Sequence, residues 1–424
     1  MSAIPHPAGC GCERHDAPRG LMSVDEAVAL AVAQVAPVTD SETLPLYEAL
    51  GRTVAAEAIA PEAMPFFDNS GMDGFAVRTE DFRGQGPWVL PVAATIAAGA
   101  AAAPMRPGTV QRIFTGAPVP EGADAVVAIE ETRDENGCII FSERPKAGQN
   151  IRIRGSDMGQ GAVLVRPGTR LSPRHLGLLA ANGIARVAVA RRARVAVLST
   201  GDEVTDGPRG AGQVFDANRP MLCALARAAG AEVTDLGILP DEEDATAARI
   251  AALAGRFDLV LSSGAVSMGG KDFLRPAFEA AGGTVAGWRV AIKPGKPVMF
   301  GRIGQTAFTG LPGNPFAVFV GFHLFAAAQL RRLAGSAPVP FAHLDAVAGF
   351  DWTRSPGRAE VFPVRISGRD EAGRTVLTRL GASVSATLFP LAEADGLAFV
   401  PAGTARVVPG DTLDWRPFAA EGAA

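Results

Sequence analysis

The stretch RVAVLSTGDE, residues 194–203, decides the fold class of this chain. A short apolar run that ends in Ser, Thr, Gly and two carboxylates is typical of a strand buried on both faces and followed by a loop. Helical and strand patterns then alternate along the chain: PMLCALARAAG (220–230), VTDLGIL (233–239), EDATAARIAALAG (243–255), DLVLSSG (258–264), FLRPAFEAAGG (273–283), VAIKPG (290–295), TAFTG (306–310) and a long apolar run from 315. This alternation predicts a doubly wound, mostly parallel α/β sheet with helices on both faces.

The carboxyl ends of such strands are where open α/β sheets bind their ligands. The loops expected at that edge are STGDE (199–203), LPDEED (239–244), SSGAVSMGGKD (262–272) and TGLPGNP (309–315). The last two are rich in glycine, which lets the backbone approach an oxyanion, and each precedes an expected helix start. SSGAVSMGGKD does not match the Walker loop, because a second glycine precedes Lys271 and Asp272 replaces Ser or Thr. We expect a phosphate cradle of another kind, with ordinary turns as the alternative.

On both sides of this domain the alternation of strand and helix patterns gives way to short apolar runs. This change predicts a multidomain α/β plus β fold. SVDEAVALAVAQ (23–34) opens with a capping box, and LSPRHLGLLAANG (171–183) has a Ser cap, a Pro in the first turn and a final Gly, so both predict helices of one connecting domain. Short apolar runs separated by Gly, Pro and Asp predict small β-rich domains before and after. The predicted domains are a flexible tail (1–20), an elongated helical connecting domain (21–45 plus 146–190), a small β-rich domain (46–145), the α/β domain (191–335) and a C-terminal β-barrel-like domain (336–424).

Composition and charge exclude several classes of function. A formal net charge of -4 gives no electrostatic reason to expect nucleic acid. The longest apolar run, PFAVFVGFHLFAAAQL (315–330), is too short and too interrupted to span a bilayer, so we expect a buried helix and no membrane contact. Residues 1–20 lack an apolar signal segment, which makes the cytoplasm the expected location. Cys10 and Cys12 lack a familiar zinc spacing, and a mobile tail is expected there.

Lysine is rare in this chain, because only Lys146, Lys271, Lys293 and Lys296 occur among forty basic residues. Two of them lie in IKPGKP (292–297), a segment stiffened by proline. Two ammonium groups fixed close together repel each other unless an anion lies beside them. This segment therefore predicts an anion site, with solvated surface lysines as the alternative.

Carboxylates in polar or Gly-rich loops form the opposite set: Asp68, Asp73, Asp157, Glu203, Asp241 and Asp272. Any one of them is also explained as a turn or cap residue. Together with the cationic loops they predict metal-assisted handling of phosphates, with Mg²⁺ as the cation. The body of the chain has no GxSxG elbow, no GxGxxG and no His or Cys pair with catalytic metal spacing, which disfavours a hydrolytic triad or a redox enzyme.

Seven motifs follow one another along the chain: DNSGMDG (68–74), RIFTGAPVPEGADAVV (112–127), GQNIRIRGSD (148–157), STGDE (199–203), SSGAVSMGG (262–270), IKPGKP (292–297) and GLPGNP (310–315). In this order and spacing they resemble the molybdopterin molybdenumtransferase family, which includes the MoeA proteins and the E domain of gephyrin. The resemblance runs from about residue 21 to residue 415 and leaves only the tails outside it.

The resemblance implies an elongated homodimer with four domains per subunit. Its α/β domain is similar to MogA, the adenylyltransferase that precedes this family in molybdenum cofactor synthesis. The implied reaction inserts molybdate into adenylylated molybdopterin, with loss of AMP and help from Mg²⁺. The active site would lie between the α/β domain of one subunit and the small β domain of the other. Other cofactor-synthesis proteins and apo-molybdoenzymes are further partners that the resemblance suggests.

Carried over onto this chain, the resemblance assigns three sets of residues. The catalytic set is Asp68, Thr115, Glu203, Asp272 and Lys293. The set that binds the pterin nucleotide is Ser199, Thr200, Gly201, Asp241, Ser263, Gly264, Ser267, Gly269, Lys296, Gly310, Pro312, Gly313, Asn314 and Ser385. The metal set is Asp68, Asp157, Glu203, Asp241 and Asp272. Thr115 and Ser385 are expected to donate to molybdate, because an oxyanion needs hydroxyl and N–H donors rather than carboxylates.

The chain departs from the family pattern at a few positions. Gly71 stands where Ala is usual, Ala265 where a second Gly is usual, and Arg289 where many relatives have Lys. Ser385 is placed by counting back from ADG (394–396), and its loop lacks the usual Gly-Ser pair. Two other functions stay open: a non-catalytic dimeric scaffold of the gephyrin type and a molybdopterin adenylyltransferase. The charged loops argue against the scaffold, and the additional β domains argue against the adenylyltransferase.

Overall fold

The structure, a computed structural model, describes residues 20–264, 274–337, 339–341, 344–381 and 387–418. Its N-terminal part contains α1 (Val24–Ala33), β1 (Ser41–Pro45), β2 (Ala58–Ile59), β3 (Asn69–Ser70), β4 (Gly74–Val77), β5 (Trp88–Ile96), β6 (Val110–Ile113), β7 (Ala125–Ala128), β8 (Thr132–Glu135), β9 (Cys138–Phe141), β10 (Ile151–Arg152), β11 (Val163–Val165), α2 (Pro173–Ala181) and β12 (Arg186–Ala190).

The middle part contains β13 (Arg194–Thr200), β14 (Val204–Thr205), β15 (Val214–Phe215), α3 (Asn218–Ala228), β16 (Glu232–Leu239), α4 (Glu243–Ala251), β17 (Leu259–Ser263), α5 (Leu274–Ala280), β18 (Thr284–Trp288), β19 (Ile292–Lys293), β20 (Met299–Ile303), β21 (Thr306–Leu311), α6 (Pro315–Gly321) and α7 (Ala327–Leu333). A π-helical turn at Phe322–Ala326 joins the last two helices. The C-terminal part contains β22 (Leu344–Ala348), β23 (Trp352–Thr353), β24 (Ala359–Arg369), β25 (Thr375–Arg379), α8 (Phe389–Ala392), β26 (Gly396–Val400), β27 (Arg406–Val407) and β28 (Thr412–Pro417).

The middle part forms a six-stranded sheet in the order β16–β13–β17–β21–β20–β18, which we call the α/β unit together with its helices. The first four strands run parallel, whereas β20 and β18 are antiparallel to their neighbours. Helices α3, α6 and α7 cover one face, and α4 and α5 cover the other. The predicted doubly wound, mostly parallel α/β domain is therefore confirmed.

Strand β13 shows why its sequence is apolar without alternation. Val195 and Val197 pack in the core on the α3 side of the sheet, and Ala196 and Leu198 pack in the core on the α4 side. All four side chains are fully buried. Burying a Val or Leu side chain contributes about 1.5–3 kcal/mol, so both faces of this strand stabilise the unit.

The helical segment Pro315–Leu333 lies at the centre of one of these cores. It is long and apolar enough to cross a membrane, but 78% of its apolar window is buried inside the protein. The buried Gln329 donates from Nε2 to the carbonyl oxygen of Ala31 in α1 at 3.0 Å and accepts from Thr309 Oγ1 at 2.8 Å. The segment is the buried helix expected from its sequence, and α1 lies against it. The expectation that it is too short to span a bilayer was wrong, because the helix continues to Leu333.

The position of α1 differs from the expectation that α1 and α2 lie together. Ala27 and Ala31 of α1 belong to the core of the α/β unit, whereas Leu179 of α2 packs with the strands around it. These strands form two short antiparallel sheets, β1–β12 and β2–β11, and with α2 they make the connecting unit. The predicted capping box of Ser23 and Glu26 is present, because such a cap depends only on neighbouring residues.

Two further six-stranded sheets and three two-stranded pairs, β3–β10, β14–β15 and β23–β27, complete the described part of the chain. The β-rich unit is a six-stranded sheet in the order β7–β4–β6–β5–β9–β8. In the C-terminal unit, β24, β25, β22, β28 and β26 close into a barrel because β24 also pairs with β26. Both the β-rich sheet and the barrel agree with the predicted fold class.

The strand predicted in VAIKPG pairs elsewhere than expected. We placed it in the α/β sheet, but only Ile292 and Lys293 are extended, and they pair parallel to β24 with Lys293 opposite Glu360. The outer strand on this side of the α/β sheet is instead β18, which pairs antiparallel to β20. IKPGKP therefore joins the α/β unit to the C-terminal barrel.

Candidate active site at the carboxyl edge of the α/β sheet

Three parallel strands of the α/β unit end side by side. In the register of the sheet, Ser199 of β13 lies opposite Ser263 of β17, and Ser263 lies opposite Leu311 of β21. The hydroxyl groups of Ser199 and Ser263 are 3.2 Å apart, and Thr200 Oγ1 donates to the carbonyl oxygen of Ser263 at 3.4 Å. These side chains are buried, so they fix the strand ends from which the loops depart.

Gly264 allows two of these loops to approach each other closely. Its φ is +94°, and a Cβ at this position would lie 2.4 Å from the carbonyl oxygen of Thr200. A Cβ built on Gly313 would lie 3.8 Å from Gly264 Cα, so TGLPGNP touches the loop after β17. Only glycine satisfies both the left-handed backbone and this short contact. The glycines of the two loops therefore form one backbone surface.

Asn218, at the start of α3, ties a further element to this surface. Its Nδ2 donates to the carbonyl oxygen of Gly313 at 2.7 Å. Its Oδ1 is buried, and among the residues that the structure describes it has no hydrogen-bond partner. A buried polar atom of this kind is costly unless a ligand or water satisfies it. Asn218 was not predicted from the sequence, although the pattern Asp216, Ala217, Asn218 is typical of a helix start.

The acidic loops after β13 and β16 are also joined. Asp202 Oδ1 accepts from the backbone N–H of Asp241 at 3.2 Å. The carboxylate of Glu203 folds over Gly201, whose φ is +129° and whose substituted Cβ would lie 2.7 Å from Glu203 Oε1. No group of three metal-ligating side chains occurs in the described part of the chain. Glu203 and Asp241 therefore supply oxygen donors at the edge without forming a complete metal cage.

Lys293 is held by the C-terminal unit. Its Nζ lies 3.1 Å from Oε1 of Glu360, and Glu360 also pairs with Arg354 at 3.3 Å. The carboxylate of Glu360 is only 2% exposed, whereas the Lys293 side chain is 43% exposed. A Cβ on Gly295 would lie 3.8 Å from the carbonyl oxygen of Ala317, so IKPGKP runs beside the first turns of α6. The sequence analysis missed Glu360 because nothing in its neighbourhood marks it.

The other predicted residues at this edge are placed as follows. Gly310 is buried within β21, Asn314 precedes α6, and Lys296 is exposed. Pro312 lies between Leu311 and Gly313 in the same loop. Four predicted residues lie outside the described part of the chain: Ser267, Gly269, Asp272 and Ser385.

A second group of predicted residues lies on the β-rich unit. Asp68 accepts from the backbone N–H of Arg154 at 2.6 Å, which ties DNSGMDG to the segment after β10. Asp157 lies in that segment, where its own N–H donates to the carbonyl oxygen of Met64. These contacts hold the loop that contains Asp68.

Thr115 is engaged by an aspartate of the same loop. Both its Oγ1 and its backbone N–H donate to Asp73 Oδ1 at 2.7 Å. The hydroxyl bond first and the N–H bond second lower the pKa of Asp73 below its ordinary value. The hydroxyl proton of Thr115 is therefore committed to Asp73, and donation to molybdate requires that this bond be exchanged.

The two groups belong to separate sheets with separate hydrophobic cores. Phe75 and Val127 pack in the core of the β-rich unit, which carries the loop with Asp68. Val195 and Val197 pack in the core of the α/β unit, which carries the loop with Thr200. The metal set predicted from the sequence is thus divided, with Asp68 and Asp157 in one group and Glu203 and Asp241 in the other.

Three protein-family models match this chain in succession. They are the MoeA N-terminal region (domain I and II) over residues 22–183, a probable molybdopterin binding domain over residues 196–332, and the MoeA C-terminal region (domain IV) over residues 345–418. The candidate edge lies in the second of them.

The chain is also similar to curated proteins over nearly its whole length. A molybdopterin molybdenumtransferase of Haemophilus influenzae is 36% identical over 403 residues, which cover 94% of this chain and 99% of the relative. Molybdopterin molybdenumtransferase 2 of Mycobacterium tuberculosis is 37% identical over 88% of this chain and 93% of the relative. The crystal structure of the molybdopterin biosynthesis MoeA protein from Pyrococcus horikoshii OT3 superimposes with a TM-score of 0.78 at 27% identity, covering 93% of this chain and 99% of that chain.

Proposed function

Since the chain belongs to the molybdopterin molybdenumtransferase family, we propose that it inserts molybdate into adenylylated molybdopterin with release of AMP. It is a transferase of molybdenum cofactor biosynthesis. The similarity includes the units outside the α/β sheet, which an adenylyltransferase alone does not need. The relatives carry the name of an enzyme, which disfavours a non-catalytic scaffold.

One observation supports the proposal most strongly: the loops after the parallel strands meet at one edge of the α/β sheet. Gly264 and Gly313 bring two glycine loops together, and Asp202 joins the loop of Glu203 to that of Asp241. Backbone surfaces of this kind approach phosphate oxygens without steric hindrance. We assign the phosphates of the pterin nucleotide to this edge.

Lys293 supplies positive charge beside that surface. As the phosphate link to AMP breaks, negative charge grows on the oxygens of the leaving group, and a fixed ammonium stabilises it. The ion pair with Glu360 restricts the position of Nζ while the side chain stays partly exposed. Lys296, on the same segment, contributes a second and more exposed charge.

A divalent cation fits the donors at this edge. Mg²⁺ commonly takes one or two protein carboxylates and completes its shell with water and substrate phosphates. Glu203 and Asp241 would hold it here, with Asp272 as a further ligand from the family resemblance. When bound, the cation neutralises phosphate charge. The incomplete carboxylate set described above is consistent with this mode of binding.

We assign molybdate to the hydroxyl donors associated with the second group, Thr115 and Ser385, and keep Asp68 and Asp157 as proposed metal ligands. Asp68, Thr115 and Asp157 lie on the β-rich unit, and Ser385 is the expected donor from the C-terminal unit. Because the two groups lie on separate sheets, a homodimer in which the β-rich unit of one chain faces the α/β unit of the other would complete the site. This proposal includes a cytoplasmic location, where thiol-containing pterins stay reduced.

Molybdate-dependent release of AMP from adenylylated molybdopterin tests the proposal. We expect Lys293→Ala and Asp272→Asn to lower the rate at least about 100-fold, the cost of losing one electrostatic contact to a developing charge. Lys146→Ala is the matched control, because this exposed lysine lies on the β-rich unit away from the edge. A wild-type protein that binds the pterin nucleotide but releases no AMP would support the scaffold function instead.

A further inference from the structure

A cavity lies away from the carboxyl edge of the α/β sheet, where the connecting unit meets the α/β unit. Its volume is about 300 Å³. No Asp or Glu is found among the described residues that line it, and its charged lining residues are Arg52, Arg170, Arg191, Arg192 and Arg331. We call it the arginine cavity. None of the motifs carried over from the family falls on these arginines.

The guanidinium groups themselves lie at the wall of the cavity. Four of them donate to carbonyl oxygens of lining residues: Arg52 to Ala190 at 2.8 Å, Arg170 to Gly51 at 3.1 Å, Arg191 to Arg192 at 3.1 Å and Arg192 to Gly230 at 3.0 Å. Each group uses only part of its five N–H donors in these bonds. Donors therefore remain for a ligand.

Positive charge in the arginine cavity exceeds the negative charge around it. Arg52 pairs with Glu42 at 2.5 Å, and Arg191 pairs with Asp258 at 2.7 Å and Asp40 at 3.0 Å. The ion pairs found in the described ranges involve none of the other three arginines. The C-termini of α3 and α7 also end here, and each adds about half a negative charge. The three remaining guanidinium groups outweigh these two helix ends.

The pKa of Arg331 indicates that other positive charges lie close to it. Burial first, and then the nearby guanidinium groups of Arg416 and Arg170, lower the pKa of Arg331 below its ordinary value. Cations held this closely are unfavourable until an anion lies between them. A phosphate accepts two parallel N–H bonds from a guanidinium group and matches such a cluster in charge and geometry.

The remaining wall of the cavity is mostly apolar, with Thr53 and Ser336 as its polar residues. It includes Ala193, Ala231, Leu330 and Val339. A volume of this size is at the lower end for pockets that bind small molecules. We propose that the arginine cavity binds a small phosphate-bearing ligand, with its phosphate on the guanidinium groups and any organic body against the apolar wall.

Such a ligand would bridge two units of the fold. Arg170 comes from the connecting unit and Arg331 from α7 of the α/β unit. The same junction is closed by a hydrogen bond of 3.2 Å between Thr53 Oγ1 and Ser336 Oγ. A Cβ on Gly168 would lie 2.7 Å from the carbonyl oxygen of Gly335, so the backbones approach closely here. Binding of phosphate at this junction holds the two units in one orientation.

Calorimetric titration of the full chain tests this inference independently of the transferase activity. The parent protein is Lys293→Ala, which weakens phosphate binding at the candidate active site. The probes are inorganic phosphate, AMP and adenosine at low ionic strength. We expect phosphate and AMP to bind and adenosine to give no heat. Tighter binding of AMP than of phosphate assigns an organic phosphate, and equal affinity assigns free phosphate; both outcomes support the site.

Arg331→Ala and Arg170→Ala, each added to the parent, should weaken this binding at least about tenfold, because each removes charge-assisted hydrogen bonds. Arg332→Ala is the matched control, since this exposed neighbour does not line the cavity. Arg331→Ala should leave the melting temperature of the unliganded protein unchanged or higher, because it relieves repulsion. Equal affinity in all three variants, or no binding of either phosphate compound to the parent, would overturn the proposal.

Discussion

The buried carboxylate of Glu360 restricts the position of Lys293, whose side chain stays partly exposed. It forms an ion pair with Lys293 and accepts a hydrogen bond from Arg354, and Arg354 also donates to the carbonyl oxygens of Pro401 and Thr404. The attraction within a buried ion pair offsets much of the desolvation cost of its charges. Removal of one partner leaves an uncompensated buried charge, which destabilises the fold. The carboxylate therefore stabilises the C-terminal barrel and also restricts the position of the Lys293 ammonium group, to which we assign a role in the candidate active site.

We expect Glu360→Gln to lower the free energy of unfolding by about 3–5 kcal/mol, the usual cost of removing one partner of a buried ion pair. Urea unfolding followed by tryptophan fluorescence measures it, since Trp352 and Trp415 pack in the same core. The control is Glu393→Gln, whose ion pair with Arg365 is half exposed on both sides. That substitution should cost less than about 1 kcal/mol. Equal losses in the two variants would contradict the role of burial.

Among single residues, the candidate site was predicted from the sequence only in part. Thr200, Gly264 and Gly313 lie where their loops were expected, because strand ends and glycine turns are marked locally. Glu360 and Asn218 were missed. Their partners, Lys293 and Gly313, lie 67 and 95 residues away, so no local pattern connects them.

At the scale of elements, the helical segment Pro315–Leu333 carries a titratable group into the core. His323 lies in its π-helical turn, and its ring contacts those of Phe319 at 4.5 Å and Phe322 at 5.6 Å. Burial, and then the charge of Arg416, lowers the pKa of His323 to about 3. The folded protein therefore holds this imidazole neutral over most of the pH range.

This lowered pKa makes folding stability depend on pH. Between pH 6.5 and about 3 the unfolded chain binds a proton at His323 that the folded chain does not, so the free energy of unfolding falls as the pH falls. Above pH 6.5 His323 is neutral in both the folded and the unfolded chain, so this loss of stability is absent. Below pH 6.5 the free energy of unfolding falls by at most about 1.4 kcal/mol per pH unit because of this group. In urea unfolding measured from pH 7 to pH 4, His323→Leu should show a smaller loss than the wild type. Parallel curves for the two proteins would count against this assignment.

Elements differ in how well their partners could be predicted. The extent of α2 and its Ser172 cap follow from neighbouring residues, and both were predicted. The docking of α1 and the pairing of β19 with β24 were not, because each depends on which surface another unit presents. A strand of two residues carries no periodicity from which its partner sheet could be inferred.

At the scale of the whole molecule, the division of the predicted residues between two sheets has a direct consequence. If one site needs Asp68 from one chain and Lys293 from another, two inactive variants can complement each other. A closed two-fold dimer has two equivalent sites, and a mixed dimer of these variants contains one site without any substitution.

We expect Asp68→Ala and Lys293→Ala, mixed in equal amounts and allowed to exchange subunits, to recover about a quarter of the wild-type rate of AMP release. Half of the dimers are then mixed, and each of these has one intact site. Mixing Lys293→Ala with Glu203→Ala is the control, because the proposal takes both residues of one site from the same chain, so a mixed dimer has no intact site. No recovery in the first mixture, when capture through an affinity tag on one variant brings down the other, would place all of these residues in one chain.

The sequence by itself determined the α/β alternation, the helix caps, the β-rich character of the flanking units and the order of the motifs. These features are local, since burial of a strand or capping of a helix is encoded within a few residues. Only the tertiary structure decided that Lys293 pairs with Glu360, that α1 docks on the α/β unit, and that five arginines surround one cavity at its junction with the connecting unit. Such contacts join residues far apart in the chain, and their energy depends on burial that exists only after the units have packed together.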